Sequence, residues 1–340
     1  MDVKALMATA AAMVAGDRGI LAMDESTPTC DKRFAQYQIP MTVEYRQAYR
    51  EMIVTTPNLG ECISGAILFD ETIRQSTRGG MPFVEVLKLA NIIPGIKVDG
   101  GTKDHPGFPG EKITEGLDGL GARLREYYGM GARFAKWRAV ITIGEGLPTR
   151  GNVEAHALAL ARYAALCQEG GLVPIVEPEI LMDGAHDLDR SFVVSRDVWR
   201  TVFDQLLLQR VDLRCMILKP GMVLPGKDCP DQSSVEAVAE ATVRALLDTV
   251  PASVPGIAFL SGGQSDELAS ARLSAMNAKY RGQVPWALAF SYARAIQAPA
   301  LKIWSGQEAN VEAAQKALYH RANCNKAARR GEYSSAMEGK

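Results

Sequence analysis

The sequence predicts an α/β protein folded as a (β/α)8 (TIM) barrel, with an extra N-terminal helix and a C-terminal helical extension. Three observations predict it. Eight short apolar runs recur along the 340 residues, with starts 30 to 46 residues apart. Each interval leaves room for a crossover helix between parallel strands. Ionisable or hydroxyl side chains stand at the ends of most runs, where barrels of this kind keep their chemistry. A doubly wound sheet is the alternative architecture for the same alternation.

The runs are Gly19–Met23, Gly65–Phe69, Gly95–Val98, Phe134–Trp137, Val173–Val176, Met216–Leu218, Gly256–Leu260 and Trp286–Phe290. None alternates strictly between apolar and polar, as suits strands buried on both faces. Ahead of them, Ala5–Ala15 is apolar and rich in small residues. Its flank carries Asp2 as well as Lys4, so it reads as a helix covering one end of the barrel rather than a secretory leader. Helical patterns cover Thr42–Thr55 and Gln264–Ala278, and Asn152 caps an Ala/Leu-rich helix running to about Cys167. Ser233-Ser-Val-Glu236 reads as a capping box. Val235, Val238, Ala239, Thr242, Ala245 and Leu246 then repeat with helical period. Glu308–Arg330 is the last long helix. No linker or internal repeat interrupts the chain. One domain is therefore expected over 1–340, with the barrel at about 19–300 and a helix and short tail at about 301–340.

Composition narrows the function. The net charge of −1 gives no long-range field for nucleic acid or an anionic membrane. No stretch approaches the ~18 apolar residues of a transmembrane helix. Six cysteines are scattered without a C-x-x-C pair, which predicts reduced thiols and a cytoplasmic protein. His105, His156, His186 and His320 lack H-x-x-x-H or H-E-x-x-H spacing, so no metal is expected.

The run ends carry the candidate chemistry. In order they present Asp24, Lys97, Lys136 with Arg138, Glu177 with Glu179, Lys219, Ser261, and Ser291 followed by Arg294. One such residue is an ordinary solvated strand end. Convergence from so many strands is not. Lys219 follows an apolar run and precedes Pro220. Desolvation there disfavours the ammonium form and makes the amine a candidate nucleophile toward a carbonyl. Lys136 and Arg138 share one strand face, as do Glu177 and Glu179, so a cationic pair lies beside an anionic pair. Such a set can move protons and hold an anion, or merely form a mutual ion-pair network. Ser261-Gly262-Gly263 opens a helix, where backbone N–H groups favour phosphate, and Arg294 adds a forked donor. Lys32-Arg33 is a second cationic element one loop from Asp24. Seven cations and three carboxylates give the mouth +4, enough to balance a bisphosphate of about −3 to −4.

These residues sit in stretches that identify a family. They are Gly19-Ile-Leu-Ala-Met-Asp-Glu-Ser26, Gly95-Ile-Lys-Val-Asp99, Gly116-Leu-Asp-Gly-Leu120, Phe134-Ala-Lys-Trp-Arg138, Val173-Pro-Ile-Val-Glu-Pro-Glu-Ile180, Leu218-Lys-Pro220, Phe259-Leu-Ser-Gly-Gly-Gln-Ser265 and Ala289-Phe-Ser-Tyr292. The chain closely resembles class I fructose-1,6-bisphosphate aldolases over nearly its whole length. The resemblance implies a barrel enzyme, usually a homotetramer, that needs no metal and no cofactor. It implies reversible cleavage of fructose 1,6-bisphosphate to dihydroxyacetone phosphate and glyceraldehyde 3-phosphate. By position, Lys219 matches the Schiff-base lysine and Glu177 the acid/base of imine formation, with Glu179 beside it. Asp24 matches the carboxylate acting on the carbon-4 hydroxyl, and Lys136 the lysine supporting that step. Lys97 and Arg138 line the same site. Ser261, Gly262, Gly263, Ser291 and Arg294 match the carbon-1 phosphate site, and Ser26 and Arg33 fall where the carbon-6 phosphate is held.

The chain departs from the family at Thr27-Pro28-Thr29, Gly221 and Ala293, and in the loop Gly100–Glu111. It also lacks the long tail ending in tyrosine. Tyr333, the one tyrosine after Arg330, is expected to stay out of the mouth. Two other readings are a different Schiff-base barrel such as transaldolase, and a non-catalytic sugar-phosphate or cytoskeletal binding protein on this scaffold. The paired phosphate elements and the Phe-Ala-Lys-Trp-Arg run weigh against transaldolase. Lys219, Glu177 and Asp24 together weigh against a purely structural role.

Overall fold

In the computed structural model, which describes residues 2–339, the strands are β1 (Gly19–Ala22), β2 (Ile63–Leu68), β3 (Ile93–Lys97), β4 (Thr102–Asp104), β5 (Lys112–Thr114), β6 (Phe134–Ile141), β7 (Val173–Ile180), β8 (Ile217–Leu218), β9 (Gly256–Phe259) and β10 (Ala287–Tyr292). The helices are α1 (Val3–Met13), α2 (Thr27–Ala35), α3 (Val43–Val54), α4 (Asp70–Ile73), α5 (Phe83–Leu89), α6 (Leu120–Gly129), α7 (Arg150–Glu169), α8 (Leu188–Leu208), α9 (Val235–Leu247), α10 (Asp266–Tyr280), α11 (Arg294–Trp304) and α12 (Val311–Arg330). Eight strands close in the order β1-β10-β9-β8-β7-β6-β3-β2, every pair parallel. Pairing of β1 with both β2 and β10 closes the sheet and excludes the open, doubly wound alternative.

The pleat sorts the side chains into two cores. Ile20 and Ala22 of β1, Phe134 of β6, Val173 and Ile175 of β7, Ile217 of β8, Ala258 of β9 and Ala289 of β10 form the inner one. Their chain neighbours, such as Leu21, Ala135, Val176 and Leu218, pack in the larger core under the helices. Phe134 lays its ring over its register partner on the neighbouring β3, where a Cβ on Gly95 would lie 2.2 Å from it, so only glycine fits there. Helix α1 closes the floor, with Leu6, Ala10 and Met13 buried in the inner core, as the apolar N-terminal stretch predicts.

Strand runs four and five extend further than their apolar stretches, to Ile141 and Ile180, so Arg138, Glu177 and Glu179 lie within strands rather than beyond them. The sixth run contributes only Ile217–Leu218. The segment from Gly100 to Glu111, an irregular loop by sequence, begins a small antiparallel hairpin of β4 and β5. Helix α3 is capped by Thr42, and α10 is capped by Ser265.

Two cap assignments need correction. Asn152 lies inside the first turn of α7, whose cap is Thr149; Asn152 is buried and donates to the Lys112 carbonyl at 2.8 Å. Ser234, not Ser233, caps α9, accepting from the Ala237 N–H at 3.1 Å. The Asp231 carboxylate accepts the Ser233 N–H and turns the chain, leaving Ser233 at φ +55° and Ser234 the first extended residue. The last helix starts at Val311, after a 3₁₀ turn over Glu308–Asn310. Among the described residues no helix is long and apolar enough to cross a membrane.

Candidate active site

The inner columns of the barrel change character at the top. Two residues above an inner-column residue, six of the eight barrel strands present a polar side chain to the mouth. Ala22 is followed by Asp24, Gly95 by Lys97, Phe134 by Lys136, Ile175 by Glu177, Ile217 by Lys219 and Ala289 by Ser291. They line a cavity of about 530 Å³ at the C-terminal ends of the strands, a volume suited to a small ligand.

At its base four side chains form a chain of ion pairs. Lys219 Nζ lies 3.2 Å from Glu177 Oε1. Lys136 Nζ lies 3.1 Å from Glu177 Oε2 and 2.8 Å from Asp24 Oδ2. Lys219 and Glu177 are each only 3% exposed. Burial pulls the Lys219 ammonium pKa below its ordinary value, and Glu177 offsets this only in part. Burial opposes the Asp24 carboxylate, but Lys136 and Lys219 outweigh it and hold Asp24 ionised. Lys136, between two carboxylates, is held fully charged despite its burial. One lysine is thus tuned toward the neutral amine and the other away from it.

The signs give a test. The negative charge of Glu177 raises the Lys219 pKa, so Glu177→Gln should move it lower still. Carbamylation of Lys219 by cyanate, followed against pH by mass spectrometry, reads the neutral amine directly. Its inflection should shift to lower pH in the variant; an unchanged or raised inflection would show that Glu177 does not hold the ammonium.

Around this base the mouth is cationic. Arg138 pairs with Glu179, and Lys97 lies 2.8 Å from Asp99. Ser261, Gly262 and Gly263 form the loop before α10, with Gly262 and Gly263 at φ +52° and +91°. Two consecutive positive-φ glycines at a helix start leave the backbone free of side chains where its N–H groups can meet an anion. A Cβ on Gly263 would lie 3.9 Å from Arg294 Nη2, so the guanidinium stands over this loop. The buried Ser291 hydroxyl faces the same cavity and has no hydrogen-bond partner among the described residues. Ala293 precedes α11 at φ −104°, outside the left-handed region, so the position does not call for glycine on that account.

Opposite, Ser26 caps α2 without a side-chain bond to its backbone; its hydroxyl meets Thr29 Oγ1 at 3.1 Å, beside Lys32 and Arg33. Arg33 is ion-paired with Glu25, which Arg50 also holds at 2.6 Å. Every predicted site residue except Gly263 lines the one cavity, and Gly263 adjoins it through Arg294.

Two functional carboxylates escape the sequence reading. Glu25 lines the cavity and Asp99 anchors Lys97. Alternation after Asp24 would point Glu25 outward, but β1 ends at Ala22 and the parity is lost. Seven cations then face four carboxylates, so the mouth carries +3 rather than +4.

Tyr333 is absent from the cavity. Its backbone N–H donates to Ser274 on α10 and its hydroxyl to Glu338 at 2.8 Å. Arg321 of α12 lies between the two helices that carry the anion cradle. It donates to the carbonyls of Asp266, at the start of α10, and Ala295, at the start of α11, at 2.8 and 3.1 Å.

A buried lysine flanked by carboxylates, beneath two cationic elements, is an arrangement suited to a barrel lyase acting on a phosphorylated carbonyl compound. The family model for class-I fructose-bisphosphate aldolase matches residues 5–340. The chain is 54% identical over 334 residues to a probable fructose-bisphosphate aldolase class 1 of Xanthomonas axonopodis pv. citri, covering 98% of this chain and 99% of that one. It is 49% identical over 335 residues to the chloroplastic fructose-bisphosphate aldolase 1 of Chlamydomonas reinhardtii, covering 98% and 88% respectively. Fructose-bisphosphate aldolase from Plasmodium falciparum, solved in complex with TRAP and a small-molecule inhibitor, superimposes with a TM-score of 0.96. That match is at 47% identity and covers 98% of this chain and 96% of that one. The chain belongs to the class I fructose-bisphosphate aldolases and catalyses the reversible aldol cleavage of fructose 1,6-bisphosphate.

Proposed function

We propose that Lys219 forms the Schiff base, and the observation carrying this is its buried ion-paired chain to Glu177, Lys136 and Asp24. The neutral amine attacks the ketose carbonyl, and Glu177, in contact with its Nζ, supplies and removes the protons of carbinolamine dehydration. Asp24, kept ionised by Lys136, takes the proton of the carbon-4 hydroxyl as the bond between carbons 3 and 4 breaks. The iminium on Lys219 accepts that electron pair. Glyceraldehyde 3-phosphate leaves, the enamine is protonated, and hydrolysis releases dihydroxyacetone phosphate. Glu179 keeps Arg138 over the site, and Lys97 lines its side.

The carbon-1 phosphate fits the cradle of Ser261, Gly262, Gly263, Ser291 and Arg294, where the orphaned Ser291 hydroxyl gains a partner. The carbon-6 phosphate fits Ser26 and Arg33. Binding measurements separate the two ends. Arg294→Ala should weaken dihydroxyacetone phosphate and the bisphosphate alike, by about 1.5–3 kcal/mol, or roughly 10- to 150-fold. Arg33→Ala should weaken the bisphosphate far more than the three-carbon ketose phosphate. Equal effects of both changes on both ligands would reverse or void the assignment.

The chain is further read as one domain that assembles as a cytoplasmic homotetramer. Support comes from family resemblance, from six buried unpaired cysteines, and from exposed Val193, Leu207 and Leu208 on α8.

A further inference from the structure

Away from the mouth, three side chains of different chemistry converge where α12 meets the C-terminal segment. His320 and Cys324 stand one turn apart on α12, with His320 Nε2 and Cys324 Sγ 3.7 Å apart. Glu338 reaches them from the segment after the helix, its Oε2 3.8 Å from the same His320 Nε2. The three ligand atoms lie within 4.8 Å of one another. None of the three residues lines the mouth cavity.

The convergence is on a single ring nitrogen. A hydrogen-bonded relay would place the thiol on one nitrogen of the imidazole and the carboxylate on the other. Here both approach Nε2, and one hydrogen there can serve only one of them. An ion on the Nε2 lone pair would serve all three. Tetrahedral zinc, with Zn–S of about 2.3 Å and Zn–N of about 2.0–2.1 Å, separates two such ligand atoms by roughly 3.6 Å. The observed sulfur–nitrogen distance is already close to that.

The surroundings orient the ligands. Glu338 Oε1 accepts from the Tyr333 hydroxyl and from Arg321, which leaves Oε2 turned to His320. Outer partners of this kind hold a ligating carboxylate in place. His320 is partly exposed and gives a path from solvent. Sequence spacing missed the group because it pairs one histidine with a cysteine four residues on and a glutamate fourteen beyond that.

We propose that His320, Cys324 and Glu338 form a zinc site that fastens the C-terminal segment to α12, with water in the fourth position. Binding forms a sulfur–zinc bond as the Cys324 thiol proton passes to solvent, and no electron is transferred. Thiolate and carboxylate offset the dication, while Arg321 stays paired to the other carboxylate oxygen.

Cobalt(II) added to the full-length, chelator-stripped enzyme tests this. The intact protein should show a saturable one-to-one thiolate–cobalt charge-transfer band with tetrahedral ligand-field bands, removed by equimolar zinc. Cys324→Ser and His320→Ala should lose the charge-transfer and tetrahedral signals respectively, and Glu338→Gln should weaken binding. Aldol cleavage by Cys324→Ser should match the intact enzyme, which shows that the variant folds. No charge-transfer band in the intact protein, or a band that survives in Cys324→Ser, would mean a hydrogen-bonded cluster without an ion. Equal affinity in Glu338→Gln would show that the C-terminal segment is not fastened by metal.

Discussion

Replacing Lys219 by alanine is expected to lower kcat for cleavage by at least about 10⁴-fold, or ~5.4 kcal/mol in barrier, while the barrel remains folded. The loss is large because no other group can take its place. The other lysine in contact with Glu177, Lys136, is held as an ammonium by Asp24 and Glu177 and has no lone pair to offer. The fold should survive because Glu177 keeps its pairing with Lys136 and a costly buried amine is removed. Borohydride added with dihydroxyacetone phosphate should mark Lys219 alone in the intact enzyme, read from the modified peptide by mass spectrometry. Label on another lysine, or a variant that still cleaves, would remove the central assignment.

Lys136→Ala should fail in a different way, by losing activity and stability together. Its ammonium is the shared counter-charge of Asp24 and Glu177, all three nearly inaccessible to solvent. Without it, the main opposition to burial at Asp24 is gone and the carboxyl pKa rises, so less of the carboxylate proposed to take the carbon-4 hydroxyl proton stands ionised. Loss of proton transfer of this kind costs about 10²–10⁴-fold. Breaking a buried pair from one side also costs about 3–5 kcal/mol of folding stability. Denaturant unfolding and steady-state kinetics on one preparation measure both. An inactive variant of unchanged stability would show that the pairs are solvent-screened and only the chemistry depends on them.

Much of this was legible in the sequence because the relevant signals are local. Apolar runs marked the strands, and the polar residue ending each run marked the mouth. Lys136, Arg138, Glu177 and Glu179 could be oriented by counting in twos, since the pleat persists through them. The failures came where regular geometry stops. Glu25 lies beyond the end of β1, where counting no longer gives direction. Ser233 and Asn152 look like caps by sequence but are not, because Asp231 in one case and Thr149 in the other sets the turn. The hairpin of β4 and β5 is held across sequence, with Thr114 donating to the Arg138 carbonyl at 2.8 Å, and no pattern in Gly100–Glu111 announces it. The cluster around Glu338 depends on a return of the chain onto α12 that spacing cannot show.

The two-residue strand β8 carries a consequence for how the molecule assembles. It meets its neighbours through only three residue pairs, Ile175 with Ile217, Val176 with Leu218 and Leu218 with Ile257. Two further backbone bonds, from the Lys219 N–H to the Val176 carbonyl at 2.8 Å and from the Leu260 N–H to the Pro220 carbonyl at 3.0 Å, continue the pairing, and the burial of alternate faces specifies the register. A slip of one residue would turn Leu218 into the mouth and drive the Lys219 ammonium into the apolar layer beneath the helices. The misfit would cost both the ion pairs and a large desolvation penalty. The residues proposed to perform the reaction therefore also bear on the placement of their own strand. That misfit disfavours the slipped register before any substrate is present, so Lys219 marks the correct one.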